Sequence, residues 1–140
     1  MNWLVFALLS ALFAALVTIF AKLGLKTVDS NLVAIIRAVV MALFLVSFGF
    51  LTQKFSGFSL SLFSGKDGLL ILLSGLAGAI SWLFYFLALK YGLASRVSAV
   101  DKLSLVFVVV LSLMFLGEKL SWKTGVGAVL MVIGAVLFAL

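Results

Sequence analysis

Long apolar stretches alternate with short polar segments along the whole chain. A helix that crosses a bilayer needs about 20 mainly apolar residues, and five stretches bounded by charged residues approach that length. They predict transmembrane helices over residues 3–21, 32–51, 68–89, 93–116 and 122–140. The pattern therefore indicates an all-α fold, a polytopic membrane bundle of five helices that forms a single domain over residues 1–140.

The segments between the predicted spans differ in length. Residues 26–31, 89–92 and 117–123 are short connections, so successive helices must run antiparallel as neighbours. Residues 52–67 form a longer loop, and part of it is amphipathic. We expect that part to lie along the membrane interface. Its apolar side chains are Phe55, Phe58, Leu60, Leu62 and Phe63.

The fourth predicted span contains charged residues. Its uncharged run, Leu103 to Gly117, holds 15 residues and would cover about 22 Å of a hydrocarbon core about 30 Å thick. The helix must then extend back past Lys102 and Asp101, which places a charged pair inside the membrane boundary. Otherwise the helix is short and the chain re-enters the membrane there.

Small residues recur at helical spacing on three spans, a pattern that lets helix backbones approach closely in lipid. They are Ser10, Ala14 and Thr18 in the first span, Gly75, Gly78, Ala79 and Ser81 in the third, and Gly125, Gly127 and Gly134 in the fifth. The chain has no proline, so any break in a helix must come from glycine and serine.

The composition excludes a soluble domain. Hydrophobic residues make up 66% of the chain and charged residues 10%, against roughly 45–50% and about 25% in soluble domains. Cysteine and histidine are absent, and only four carboxylates are present. These are too few of the usual groups for acid–base catalysis or transition-metal ligation, so we expect no enzyme activity, no metal and no cofactor.

The net charge of +6 does not indicate a nucleic-acid partner, because the ten basic residues are scattered singly along the chain. We interpret them as anchors at the ends of spans, with the lipid bilayer as their partner. The apolar N-terminal stretch lacks a basic start and exceeds the length of a signal-peptide core, so we expect it to be the first span.

The charges do not select one orientation in the membrane. With the N-terminus inside, the inner loops carry four lysines, and with it outside they carry three lysines and one arginine. The first set is Lys54, Lys66, Lys119 and Lys123, and the second is Lys22, Lys26, Lys90 and Arg96. Either the statistical rule is simply ambiguous here, or copies insert both ways and pair antiparallel.

Three motifs resemble those of the EamA-type membrane proteins of the drug/metabolite transporter superfamily. They are Ala88 to Ser95, a short turn, Ser98 to Ser104, and Phe115 to Ser121, which contains the Gly-Glu pair Gly117-Glu118. The resemblance covers nearly the whole chain and implies the single-unit, five-span branch, in which one chain is half of an inverted-repeat transporter and must dimerise. The chain departs from the usual pattern in lacking a proline near Val100, so a helix break there cannot be carried over from the resemblance.

Asp101 and Lys102 are the strongest candidates for function, since a charge at membrane depth costs about 2.5–3.5 kcal/mol. Alternatively, both lie near a span end and reach the headgroups. As neighbours on a helix they point about 100° apart and need not pair with each other. Arg37, in the second span, either meets a carboxylate or substrate anion or extends outward to the headgroups.

Other candidates lie on single helix faces. Ser98 and Asp101 share a face of the fourth helix with Val108 and Ser112, and Ser81 and Tyr85 share a face of the third with Ser74 and Gly78. They either line a cavity or serve in packing between helices. Three aromatic side chains either stack on a substrate or pack in the bundle: Trp82, Tyr85 and Phe86. Glu118 either forms a hydrogen bond to the loop backbone or forms an ion pair with Lys119 or Lys123.

We therefore hypothesise a secondary transporter of small metabolites in a bacterial or archaeal cytoplasmic membrane. It would act as an antiparallel homodimer with a site near the midplane, and Asp101 would couple transport to protons. The alternative is a non-transporting membrane subunit that stabilises or regulates a larger complex.

Overall fold

The computed structural model describes residues 3–56, 59 and 65–140, and it is helical along most of this length. The α-helices are α1 (Trp3–Gly24), α2 (Ser30–Leu51), α3 (Lys66–Tyr91), α4 (Ala94–Asp101), α5 (Ser104–Leu111) and α6 (Trp122–Ala139). Within the described ranges, five segments are long and apolar enough to cross a membrane: α1, α2, α3, Ala94–Leu116 and α6. The predicted all-α, five-span fold is confirmed.

Polar side chains cap the first turns of two spans. The Asp29 carboxylate accepts hydrogen bonds from the backbone N–H groups of Asn31, at 2.9 Å, and Leu32, at 3.3 Å, where α2 begins. The Ser121 hydroxyl accepts from the N–H of Thr124, at 3.1 Å, where α6 begins. The first amides of a helix have no partner inside the helix, so these caps fix where each span starts.

The fourth span is interrupted after Asp101, although no proline is present. The N–H of Leu103 bonds to the carbonyl of Val100 at 3.0 Å, and that of Val106 bonds to Leu103 at 2.9 Å. These bonds join residues three apart and are typical of a 3₁₀ turn, in which residues advance by a larger angle than in an α-helix. The uniform spacing that placed Ser98, Asp101, Val108 and Ser112 on one face therefore does not hold across the turn.

Gly117 ends the fourth span. A π-helical turn, Ser112–Leu116, follows α5, and Gly117 then adopts a left-handed conformation with φ 66°. The N–H of Glu118 bonds back to the carbonyl of Ser112 at 3.3 Å. Glycine enters this region without a steric penalty, so the Gly-Glu pair terminates the helix through its backbone.

The described residues fall into two compact units. One lies within Met1–Lys22 and Tyr91–Leu140, and the other lies within Leu23–Lys90. In the first unit, α4 and α5 both pack on α6. In the second, the chain after α2 turns back so that the rings of Phe50 and Phe55 lie 4.9 Å apart.

The loop after α2 is described only in part. A Cβ added at Gly49 would lie 2.5 Å from the Phe55 ring, so the close approach of this ring requires glycine. Phe58, Leu60, Leu62 and Phe63, which were expected to lie along the membrane interface, are outside the described residues.

Most large apolar side chains point outward, as expected when the solvent is lipid. Phe44 and Phe84, for example, are each 68% exposed. Among the described residues, the buried apolar side chains are Ala21, Leu25, Phe86, Leu89 and Ala135. Helix contacts in lipid rest on packing and hydrogen bonds rather than on removal from water, so polar contacts between helices are important within each unit.

Candidate functional site

A hydrogen-bonded chain connects α4 to α1 in the first unit. The Ser98 hydroxyl donates to the Thr18 hydroxyl at 3.5 Å, and Thr18 donates to the carbonyl of Ala14 at 3.1 Å. Thr18 is buried. The contact from Ser98 is long, yet it places this serine against a neighbouring helix, as expected of a residue that packs spans together.

Two basic side chains of the same unit bind backbone carbonyls. The Lys22 ammonium, at the end of α1, donates to the carbonyl of Gly92 at 2.8 Å. The Arg96 guanidinium donates to the carbonyl of Ala139, in the last turn of α6, at 3.4 Å. Carbonyls at helix ends lack partners inside the helix, so these residues stabilise helix ends rather than acting only as anchors for headgroups.

Asp101 and Lys102 lie at the interruption of the fourth span. Their charged groups form an ion pair, with the Lys102 Nζ 3.7 Å from the Asp101 Oδ2. The two side chains need not pair on a continuous helix, but here α4 ends at Asp101 and Lys102 is its C-cap. Asp101 lies about 10 Å along the axis from the start of α4, which places the pair away from that end of the span.

Arg37 and Trp82 form a stacked pair in the second unit. The guanidinium carbon of Arg37, on α2, lies 3.2 Å from the centroid of the Trp82 ring, on α3. The Phe86 ring is farther, with its centroid 5.8 Å from the same carbon. A cation over an aromatic face is stabilised by the quadrupole of the ring, so Trp82 holds the arginine head within the span.

The other aromatic candidates pack around this pair. The ring centroids of Trp82 and Phe86 lie 5.8 Å apart, and those of Tyr85 and Phe86 lie 6.3 Å apart. Phe86 is fully buried, whereas Trp82 and Tyr85 are partly exposed. Ser81, also a candidate, is exposed on α3. Phe86 is therefore a packing residue, and Trp82 and Tyr85 retain accessible ring surface.

Asp29 and Lys90 form an ion pair that connects the beginning of α2 to the end of α3. The Lys90 Nζ lies 3.6 Å from the Asp29 Oδ2. The N–H groups of Asn31 and Leu32, together with the Lys90 ammonium, hold the pKa of the Asp29 carboxyl below its ordinary value of 3.8. Asp29 thus caps one helix and ties it to the next, outside the spans.

The structure brings some of the predicted residues together. In the first unit, Asp101 meets Lys102. In the second, Arg37 meets Trp82, and both lie beside Phe86. Sequence reasoning did not identify the roles of Asp29 and Lys22. Asp29 did carry a recognisable signal, a capping residue directly before a long apolar run, whereas nothing in the sequence pairs Lys22 with Gly92.

Two comparisons with known proteins found matches over nearly the whole chain. The sequence profile of the EamA-like transporter family matches residues 1–140. A curated protein of Sinorhizobium sp., described as an "uncharacterized transporter in cobO 3′region", is 41% identical over 138 residues, which cover 99% of this chain and 96% of the relative. No solved structure matches the chain.

Proposed function

The chain belongs to the EamA-like transporter family, and from this premise we propose that it is a secondary transporter of small metabolites in a cytoplasmic membrane. It acts as an antiparallel homodimer, with its site near the membrane midplane. The membership and the five spans make the chain a multi-pass membrane transporter. The coupling group, the dimer and the midplane site are the proposal.

Asp101 carries the proposal for coupling. Its carboxylate lies where α4 stops, next to Lys102 and within a segment long enough to span the membrane. A charge at membrane depth is costly, so a carboxylate that takes up a proton there has a strong effect on the segment around it. Protonation would end the ion pair with Lys102, and deprotonation would restore it, which links the state of this turn to proton binding.

The antiparallel dimer is supported by the number of spans and by an open helix face. A chain with five spans has its two termini on opposite sides, so an inverted second copy supplies the other half of a two-fold arrangement. On α3, a Cβ added at Gly75 or Gly78 would meet nothing within 4 Å. Small residues allow another helix to pack closely, and we assign this space to the second copy.

Proton-coupled flux in liposomes tests the proposal. The purified protein is reconstituted with a pH-sensitive dye inside, and amino acids, organic acids, sugars and amines are added outside one at a time. We expect at least one compound to drive proton movement in the wild type and Asp101→Asn to abolish it. Asp67→Asn, which alters an exposed carboxylate in the first turn of α3, should retain it.

Two results would contradict the proposal. Proton-coupled movement that survives Asp101→Asn would remove Asp101 as the coupling group. If no compound moves protons and Asp101→Asn is tolerated in cells, the chain would instead act as a subunit of a larger membrane complex.

A further inference from the structure

The Arg37 side chain is directed along the membrane span rather than toward the nearer helix ends. Arg37 is the eighth residue of α2, about 10 Å along the axis from Ser30, and Trp82 lies about 13 Å before the end of α3 at Tyr91. The guanidinium lies closer to Trp82 than to Phe86, which is nearer that end of α3. It therefore does not follow the outward path that reaches the headgroups.

The stacking leaves the hydrogen-bond donors of Arg37 available. A guanidinium carbon 3.2 Å from the ring centroid requires the planar group to lie roughly parallel to the ring, since a perpendicular group would push a nitrogen into it. The N–H bonds of guanidinium lie in its own plane. They consequently point sideways, past the edge of Trp82, where they can donate.

No described residue uses those donors. Among the described residues, Arg37 forms no ion pair with a carboxylate and no hydrogen bond, and its neighbours are the rings of Trp82 and Phe86 and the nearby Tyr85. The Leu23–Lys90 unit contains two carboxylates: Asp29, which is paired with Lys90, and Asp67, which lies about 22 Å along α3 from Trp82. A guanidinium at this depth calls for an anion, and its own unit supplies none.

From this arrangement we infer that Arg37 and Trp82 bind the carboxylate of a small organic anion with an apolar or aromatic body. The inference rests on the proposed transporter function and names its substrate class. A guanidinium can bind a carboxylate through two parallel hydrogen bonds, and the partly exposed rings of Trp82 and Tyr85 offer apolar surface for the body of the anion. A single guanidinium balances a single negative charge, which a phosphate monoester exceeds.

A phospholipid phosphodiester also carries one negative charge, so the test must separate it from a soluble carboxylate. Trp3 and Trp122 are 69% and 86% exposed, and Trp3→Phe with Trp122→Phe leaves Trp82 as the sole fluorescent tryptophan. The protein is studied in maltoside micelles, which contain no phosphate. Benzoate, benzamide and benzylamine are titrated, since they share a ring and differ in charge, and phosphatidylglycerol is titrated separately.

We expect benzoate to change Trp82 emission saturably and to bind at least 10-fold more tightly than benzamide or benzylamine. Arg37→Gln should abolish this preference. Arg37→Lys should weaken benzoate binding by about 10-fold, because an ammonium neither stacks as a plane nor donates bidentately. Arg96→Gln removes an arginine held by a helix-end carbonyl and should leave binding unchanged.

Several results would overturn the inference. These are equal affinities for benzoate and benzamide, unaltered benzoate binding in Arg37→Gln, and a Trp82 response to phosphatidylglycerol alone. If Arg37→Gln does not fold, two other results test the anion site. They are the affinities of the wild type for benzoate and benzamide, and the affinity of Arg37→Lys for benzoate.

Binding is measured here without transport, so the two proposals fail separately. Arg37-dependent benzoate binding in a protein that moves no protons would refute the transporter proposal and leave the anion site. Proton-coupled flux in a protein whose Trp82 emission does not respond to carboxylates would refute the anion site alone.

Discussion

At the scale of residues, several of the charged side chains that the structure describes have specific partners. Lys22 and Arg96 donate to backbone carbonyls, and Asp29 pairs with Lys90. Arg37 is held by an aromatic face instead of an anion. A free anchor reaches the headgroups without regard to its neighbours, whereas these contacts each connect one part of a unit to another. Loss of a single charge should therefore affect the folded protein.

Asp29 offers a direct test at this scale. The folded protein holds the pKa of Asp29 below 3.8, the ordinary value. The charged carboxylate therefore stabilises the fold above pH 3.8, and this contribution is lost as the pH falls through the lowered pKa of the folded state. We expect Asp29→Asn, which keeps an acceptor for the cap but removes the charge, to lower the melting temperature at pH 7. Asp29→Ala, which removes both, should lower it further.

Thermal unfolding in detergent at pH 7 and at pH 3 measures these effects, with Asp67→Asn as the control. The deficit of Asp29→Asn relative to the wild type should shrink at the lower pH. A deficit that is the same at both pH values would show that the carboxylate charge does not stabilise the fold.

At the scale of elements, the fourth span differs from a plain transmembrane helix. It comprises α4, a 3₁₀ turn, α5 and a π-helical turn before Gly117. Each change of hydrogen-bond spacing rotates the residues that follow, so Ser98 and Asp101 in α4 are not in register with Ser112, which follows α5. The interruption puts Asp101 at a helix end, where its side chain can turn to Lys102.

The end of this span depends on one glycine. Gly117 has φ 66°, and an added Cβ would meet nothing within 4 Å, so Gly117→Ala strains the backbone without a clash. We expect it to lower the free energy of unfolding by about 1–2 kcal/mol, measured by denaturant titration in micelles. Gly117→Asn should cost less, because asparagine tolerates the left-handed region better. Equal stability of wild type and Gly117→Ala would contradict this account of the turn.

At the scale of the whole molecule, the distribution of basic residues leaves its orientation balanced. Lys26 and Lys54 lie in successive connections and are both exposed. If copies insert both ways, a reagent that cannot cross the membrane reaches both positions from either side. If the orientation is fixed, the reagent reaches each position from one side only, and it reaches Lys26 and Lys54 from opposite sides.

Cysteine labelling distinguishes these cases, since the chain contains no native cysteine. We expect Lys54→Cys and Lys26→Cys each to react with an impermeant maleimide in intact cells and again in inverted vesicles. Labelling of each position from one side alone would establish a fixed orientation and rule out the antiparallel dimer. The two positions serve as controls for each other.

The sequence by itself determined the five spans, because bilayer thickness sets the length of apolar stretch that a crossing helix needs. It also identified Asp101, Lys102 and Arg37 as unusual, since charges at such depth are costly. Only the tertiary structure decided their partners and revealed the break after Asp101. Spacing along a helix specifies which residues share a face but not which neighbouring helix that face meets. The stacking of Arg37 on Trp82 therefore depends on how α2 and α3 pack.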